Sequence, residues 1–205
     1  LRLPPGTRAR ALGLELRVVP GEELFSGTTT LDFEADRPLD VLWLNATGLT
    51  PGALTLTAQG QPIEARAEVA GENFLAVRPA RPIPAGPARL TLAYTGPLSR
   101  KNTGGLFQLK EGGLDYAFTH FEPLDARRAF PAFDEPQHKV PVTLTLHVKK
   151  DHLAFANTPQ VSEADEPQGM KVVRFAPSQP LPTYLVAFAV GPFDFTEAGR
   201  FGSRK

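Results

Sequence analysis

The residues best suited to chemistry lie in one segment, which covers 114–141 and has the sequence LDYAFTHFEPLDARRAFPAFDEPQHKVP. Its first part alternates as a strand does, and one face of that strand would carry Tyr116, Phe118, His120 and Glu122. A carboxylate beside aromatic surface at the end of a strand is suited to bind a cation through charge-assisted hydrogen bonds. Glu122 and His120 are therefore the candidate binding residues of this chain.

A local ion pair is the alternative role for Glu122. Arg127 and Arg128 follow a few positions later, close enough in the chain for either guanidinium to neutralise the carboxylate. Spacing alone favours the binding role and the ion-pair role about equally, so that both stay open on the sequence.

The second part of the segment is dense in charge. Its charged residues lie among Phe130, Phe133 and three prolines, so they cannot all be freely solvated. We expect buried or half-buried ion pairs that stabilise a corner of the fold, and we favour this structural role over catalysis. The residues concerned are Asp125, Arg127, Arg128, Asp134 and Glu135.

Several kinds of active site are excluded by what the sequence lacks. Cysteine is absent, which rules out a disulfide framework, a thiolate metal site and a thiol nucleophile. No H-E-x-x-H, G-x-S-x-G or phosphate-loop motif occurs. The four histidines are His120, His138, His147 and His152, and their spacing is not that of metal ligands. We therefore predict no metal site and no catalytic residue within this chain. We expect His138, His147 and His152 to be surface residues or hydrogen-bonded ones.

Charge and hydropathy exclude other partners. Lysine plus arginine equals aspartate plus glutamate at 22 each among the 205 residues, so no overall field attracts nucleic acid or an anionic membrane. The longest apolar run, 184–190, is far too short to span a bilayer, and the first residues, LRLPP, do not resemble a secretory leader. We therefore expect a soluble chain with no nucleic-acid partner and no membrane segment, and we favour the cytoplasm.

Strand-like alternation recurs along the chain. Apolar residues occupy every second position in 12–18 and, most regularly, in 140–148. Glycine and proline number 18 and 21, and they cluster between such runs as hairpin turns do. The run 184–190 has no polar side, which is typical of a strand covered on both faces. The segment 123–130 instead favours a short helical turn, which Asp125 could cap. The sequence predicts one all-β domain, mostly antiparallel, with at most one or two short helical turns.

The segment from Phe118 to Pro136 resembles the signature T-Q-F-E-P-x-D-A-R-R-A-F-P-C-F-D-E-P of the aminopeptidase-N-type zinc peptidases. A match of this length, with so many rare residue types in the same order, is not expected by chance. The segments 157–159 and 182–191 are similar to two further landmarks of that family, its "SN-P" strand end and its M-x-x-Y-L-x-A-F-x-V-G strand. The resemblance covers the second half of the chain well, while about the first ninety residues agree only in their β pattern.

The resemblance implies a saddle-shaped β domain over 1–205, the amino-terminal part of an enzyme that removes amino-terminal residues from peptides. In that family a thermolysin-like domain follows and holds the catalytic zinc, so the zinc would belong to the parent enzyme and not to this chain. The position of Glu122 binds the free α-ammonium of the peptide substrate, and the position of His120 lines the pocket for the first side chain. The implied partners are the amino terminus of a peptide and the chain's own downstream catalytic domain, without which this piece would be inactive.

The chain departs from the family pattern at two positions of the signature. His120 stands where the family usually has Gln, which puts the preferred first residue in doubt and adds a titratable imidazole, and Ala132 replaces a frequent Cys. The zinc helix and the G-x-M-E-N loop of the family do not occur in these residues. One alternative is a non-catalytic scaffold or protein-interaction domain derived from the same family. The other is a carbohydrate- or protein-binding β-sandwich whose likeness is accidental.

Overall fold

The computed structural model describes residues 2–194, which form fifteen β-strands in three sheets. All strand pairs among these residues are antiparallel except one. The all-β, mostly antiparallel fold that the sequence predicts is confirmed.

The largest sheet contains eight strands. They are β1 (Thr7–Arg17), β2 (Leu24–Ala35), β4 (Thr50–Ala58), β5 (Gln61–Ile63), β8 (Gly86–Pro97), β11 (Val142–Lys149), β13 (Gln160–Glu166) and β14 (Met170–Phe175). Their spatial order is β13-β14-β11-β1-β2-β8-β4-β5, and β1 with β11 is the parallel pair.

Two smaller sheets complete the fold. The four-stranded sheet consists of β9 (Gly105–Glu111), β10 (Leu114–His120), β12 (Leu153–Ala156) and β15 (Phe188–Gly191), in the order β12-β15-β10-β9. The three-stranded sheet consists of β3 (Leu42–Asn45), β6 (Ala65–Ala70) and β7 (Phe74–Pro79), in the order β3-β7-β6.

The core forms because alternate side chains of the strands point inward. On β1, Leu12, Leu14 and Leu16 are buried, while Glu15 and Arg17, which point to the other side, are exposed. The neighbouring strand β11 shows the same alternation, as its period of two predicts. The inward side chains of all three sheets join in one hydrophobic cluster, whose burial is the main favourable term in folding.

The opposite face of the eight-stranded sheet is polar. Threonines on β2, β8 and β11 occupy its middle and are exposed or half-exposed: Thr28, Thr30, Thr91, Thr143 and Thr145. Two of these hydroxyls, on Thr30 and Thr91, lie 3.3 Å apart across β2 and β8. An antiparallel sheet with one solvated face is expected to carry polar side chains there, so this face is suited to contact water directly.

The apolar run 184–190 does not form the single covered strand that its composition predicts. A 3₁₀ turn occupies Thr183–Leu185, and β15 begins only at Phe188. The Leu185 side chain is 44% exposed, so the run is not covered on both faces. The prediction was wrong because an apolar run without polar positions carries no periodicity that separates a strand from a turn packed on the core.

Helical structure is limited to short 3₁₀ turns. Besides the turn that precedes β15, they are Ala126–Arg128 and Pro167–Gly169. The first lies inside the predicted helical segment, but Asp125 does not cap it as predicted. The Asp125 carboxylate instead accepts a 2.6 Å hydrogen bond from Nε of Arg128, because a charged donor binds a carboxylate more strongly than a backbone amide does.

A buried ion pair holds together four residues that we name the charged corner, Asn45, Arg127, Asp134 and Thr183. Nε of Arg127 donates to the Asp134 carboxylate at 2.8 Å, and Nη2 donates to the Asp134 carbonyl at 2.9 Å. The Thr183 hydroxyl donates to the other carboxylate oxygen, and the Asp134 backbone amide donates to Oδ1 of Asn45 at 3.0 Å. Arg127 and Asp134 are 9% and 2% exposed, so neither charge is screened by water.

His152 is buried without a hydrogen-bond partner for its Nδ1 within residues 2–194. Burial lowers the pKa of this imidazole, since the charged form loses its hydration, and the nearby Lys149 and Lys171 ammonium groups act in the same direction. The Asp151 carboxylate, 3.9 Å from Nε2, opposes them. His152 therefore differs from the sequence expectation of an exposed or hydrogen-bonded histidine.

Removal of the carboxylate from the charged corner is expected to be strongly destabilising. In Asp134→Ala the Arg127 guanidinium stays buried without its counter-ion, and breaking a buried pair in this way costs about 3–5 kcal/mol. Urea unfolding at neutral pH measures the loss. The matched control is Asp125→Ala, which removes the exposed partner of Arg128 and should cost at most about 1 kcal/mol. Equal losses in the two variants would contradict a dominant role for the buried pair.

The chain is also expected to lose stability as the pH falls below about 6.5, the ordinary pKa of histidine. Because burial lowers the pKa of His152 in the folded state, the unfolded chain binds a proton in this range that the folded chain does not. Because only one proton is involved, the free energy of unfolding can fall by at most about 1.4 kcal/mol per pH unit. The free energy of unfolding, measured at about pH 7.5 and about pH 5.5, should decrease less for His152→Gln than for the wild-type chain. Identical decreases in the two proteins would exclude a contribution from this imidazole.

Candidate functional site

The candidate binding residues lie where β10 ends. Phe121, the residue between them, is 2% exposed and packs its ring edge-on against Phe130 and Phe188, with ring centroids 5.5 and 6.4 Å away. His120 and Glu122 are both exposed, and a cis peptide bond joins Glu122 to the proline that follows. Phe121 is anchored in the core, while Glu122 lies in a turn beyond the end of β10, so the strand face that the sequence predicts ends at His120 and does not extend to Glu122.

The residues that pair with His120 across the sheet are small. On one side it pairs with Gly105 of β9, and the Arg128 side chain fills the space that a side chain at Gly105 would occupy. On the other side, β10 pairs with β15 through Phe118 and Ala189, and the same register places Ala187 opposite His120. Thr119 fits this register, since its hydroxyl bonds both the amide and the carbonyl of Phe188. The imidazole therefore lies between a glycine and an alanine, with Arg128 packed against the glycine.

The arginines near Glu122 are bound to other carboxylates. Arg127 lies in the charged corner with Asp134, and Arg128 pairs with Asp125 at 2.6 Å. No ion pair connects Glu122 to either of them, although the sequence left that possibility open. Within the described residues the Glu122 side chain is exposed and forms no ion pair with a neighbouring cation.

An aromatic surface adjoins the candidate site on the same sheet, and we name it the aromatic face. It consists of Phe107, Tyr116, Phe118, Phe155 and Phe193, which come from β9, β10, β12 and the chain after β15. The rings contact one another, with centroids 6.0 Å apart for Phe107 and Phe118 and 5.1 Å apart for Tyr116 and Phe193. Because β10 carries Tyr116, Phe118 and His120 on one side, the imidazole lies at one end of this face.

The remaining charged residues of the segment line a neighbouring cavity of about 650 Å³. His120 and Glu122 do not line it, whereas Asp125, Arg128 and Glu135 do, together with Arg127 and Asp134 of the charged corner. Glu135 is 9% exposed, and its two carboxylate oxygens accept hydrogen bonds from the backbone amide of Leu3 at 2.6 Å and from the side chain of Gln137 at 2.8 Å. Apart from Arg2, the charged side chains around this cavity form ion pairs or hydrogen bonds that hold the fold.

No group of three potential metal ligands occurs within residues 2–194. His147 lies between two carboxylates, with Nδ1 2.8 Å from Glu166 and Nε2 2.9 Å from Glu15. His138 packs against the Phe133 ring at 5.2 Å between centroids, and burial lowers the pKa of its imidazole. The part of the chain that the structure describes also has no helix long and apolar enough to cross a bilayer.

Sequence patterns missed part of this site. The alternation of β10 correctly separated Ala117, which is buried, from the half-exposed Tyr116 and Phe118. It did not indicate that Phe107, Phe155 and Phe193 join them, because these rings are far apart in sequence and meet only through strand pairing. Nor did it indicate the small residues that flank the imidazole.

Comparisons with known proteins agree with the geometry. The model of the Peptidase M1 N-terminal domain matches residues 9–185. Aminopeptidase M1-A of Oryza sativa subsp. japonica is 35% identical over 196 residues, which cover 90% of this chain and 22% of that protein. Glutamyl aminopeptidase of Mus musculus is 28% identical, with 96% and 22% covered, and endoplasmic reticulum aminopeptidase 1 of Homo sapiens is 29% identical, with 83% and 19% covered.

The match to the family model extends over most of the chain, from β1 to the 3₁₀ turn before β15. The chain spans about a fifth of the length of these curated relatives. It therefore corresponds to one domain of such proteins, and it belongs to the peptidase M1 family, as its N-terminal domain.

Proposed function

We propose that this domain anchors the free amino terminus of a peptide in an aminopeptidase of the M1 family. The Glu122 carboxylate binds the α-ammonium group, and the His120 imidazole contacts the first side chain. The observation that carries the proposal is the unpaired, exposed carboxylate at the end of β10, next to two arginines that are both occupied elsewhere.

Electrostatics supports this role for Glu122. A carboxylate that already had an arginine partner would have to give it up before binding an ammonium group, which would cancel much of the gain. Arg127 and Arg128 instead bind Asp134 and Asp125, which leaves the Glu122 oxygens available as acceptors. A charge-assisted hydrogen bond to a bound ammonium group gains strength once the site is shielded from water.

His120 is proposed to form part of the pocket for the first residue. It lies two positions before Glu122 on the exposed end of β10, and the residues opposite it on the neighbouring strands, Gly105 and Ala187, are small. An imidazole can face an apolar side chain with its ring or a polar one with its nitrogen atoms. The preferred first residue would thus depend on His120 and on the groups that close the pocket from the other side.

Hydrolysis is proposed to take place on another part of the enzyme. The family is generally zinc-dependent, but residues 2–194 do not fit a zinc site, since no cluster of suitable ligands occurs among them. The contribution of this domain is positional: a fixed ammonium group determines which peptide bond can reach the reacting groups, so cleavage is restricted to the chain end.

Loss of the Glu122 carboxylate is expected to impair the intact enzyme. Glu122→Gln removes a charge-assisted interaction worth about 1.5 to 3 kcal/mol, which lowers kcat/KM for aminoacyl arylamides by about one to two decades. Glu64→Gln, at an exposed carboxylate between β5 and β6, is the matched control and should leave kcat/KM unchanged. Binding of peptides with a free amino terminus should weaken, and binding of acetylated ones should not. A change below about twofold for Glu122→Gln would overturn the amine-anchor role.

The 205-residue chain alone is expected to have no aminopeptidase activity. The physical reason is that the described residues include no cluster able to hold a metal ion and activate water. The measurement is turnover of aminoacyl arylamides by the purified chain with added zinc. Metal-dependent turnover that co-purifies with the chain would contradict the proposed division of labour between this domain and the rest of the enzyme.

A further inference from the structure

We infer that Arg128 is a positioning residue of the candidate site. It sets the separation between the His120 imidazole and the Glu122 carboxylate, and it acts through Gly105 and Asp125 without touching the substrate. The inference rests on the proposed function, because it concerns the two side chains that would bind the amino terminus and the first side chain. The contacts that support it are independent of that function.

The side chain of Arg128 packs against the start of β9. A Cβ on Gly105 would come within 2.7 Å of Cβ and 3.2 Å of Cδ of Arg128, so the aliphatic part of the arginine occupies the space beside this glycine. Gly105 also has a φ of +93°, a conformation that residues with a side chain rarely adopt. The close contact with Arg128 therefore depends on glycine at this position.

The contact at Gly105 bears on His120 through the sheet. The two residues pair directly across β9 and β10. The Cα atoms of such a pair lie about 4.5 to 5.5 Å apart in an antiparallel sheet, and neighbouring backbone hydrogen bonds hold them together. A movement of Gly105 relative to Arg128 would therefore move the backbone of His120 as well.

The other end of the Arg128 side chain is bound to the turn that carries Glu122. Nε donates to the Asp125 carboxylate at 2.6 Å, and the Arg128 amide donates to the Asp125 carbonyl at 3.0 Å. The Asp125 amide donates to the Phe121 carbonyl at 2.8 Å, and Glu122 lies inside the turn that this bond closes. The position of Asp125 thus determines the shape of the turn around the carboxylate.

These contacts form a closed circuit. Strand pairing joins His120 to Gly105, and packing joins Gly105 to Arg128. The ion pair joins Arg128 to Asp125, from which the chain returns past Glu122 to His120. Side chains that bind a ligand keep a set geometry when packing and hydrogen bonds from a second layer of residues support them. Arg128 provides that support, since its removal opens the circuit.

Stability is a minor part of what the Arg128 ion pair provides. The side chains of Arg128 and Asp125 are 43% and 30% exposed, and exposed ion pairs stabilise folded proteins little. The adjacent Arg127 is buried with Asp134 and stabilises the charged corner. A misplacement of about 1 Å can slow an enzyme about a hundredfold, so a pair of small energetic value can still govern the geometry of binding.

A double-mutant cycle in the intact enzyme tests this role. We expect Arg128→Ala to lower kcat/KM for aminoacyl arylamides by at least about fivefold, mainly through a higher KM. Because Arg128 acts through His120, the variant that combines Arg128→Ala with His120→Ala should lose less than the product of the two single losses. Arg128→Lys keeps an aliphatic stem against Gly105 and a cation beside Asp125, so it should retain most of the activity.

The matched control is Arg89→Ala, which breaks an exposed ion pair with Asp32 on the large sheet. It should leave kcat and KM unchanged.

A second measurement does not use activity. Backbone ¹⁵N relaxation of the 205-residue chain reports order parameters, which are near about 0.85 for a rigid backbone and below about 0.6 for a flexible one. We expect Arg128→Ala to lower the order parameters at His120 and Glu122. Arg89→Ala should leave them at their wild-type values.

Unchanged order parameters in Arg128→Ala would overturn the inference, and so would losses that simply multiply in an enzyme that Glu122→Gln impairs. Either result with an impaired Glu122→Gln enzyme removes the role of Arg128 and leaves the amine anchor standing. Lowered order parameters together with an unaffected Glu122→Gln enzyme would instead remove the proposed function, while Arg128 would still hold His120 in place.

Discussion

The buried ion pair between Arg127 and Asp134 is the interaction on which the candidate site depends. It joins the turn after β10 to the 3₁₀ turn that precedes β15 through Thr183, and it joins both to β3 through Asn45. It also removes a cation from the surroundings of Glu122, because a guanidinium with a buried partner cannot turn outward without leaving a charge unpaired. The same pair thus stabilises the fold and keeps the exposed carboxylate available.

The division of charges in this region follows from burial. Asp134 and Glu135 lie inside and have their hydrogen-bond acceptors used, whereas Glu122 lies on the surface next to a strand end. Phe121 produces that difference, since its ring is inserted between Phe130 and Phe188. Neighbouring acidic residues of one short segment therefore have unlike roles: those buried are structural, and the exposed one is suited to bind a ligand.

The sheets show how one chain can prepare different faces for different surroundings. Threonines and ion pairs make the outer face of the large sheet polar, whereas aromatic side chains make the outer face of the four-stranded sheet apolar. Both faces alternate with the same period, and only the residue types differ. The aromatic face and the candidate site share strand β10.

Alternation by itself determined the all-β fold, the inward residues of β1 and β11, and the common side of Tyr116, Phe118 and His120, because the two sides of a strand are set by the parity of neighbouring positions. The signature around Glu122 determined the family. Tertiary structure alone decided which carboxylate each arginine binds, where the run 184–190 turns, and which distant rings meet on the aromatic face. These depend on contacts between residues far apart in sequence, and no local pattern contains the pairing of strands that brings them together.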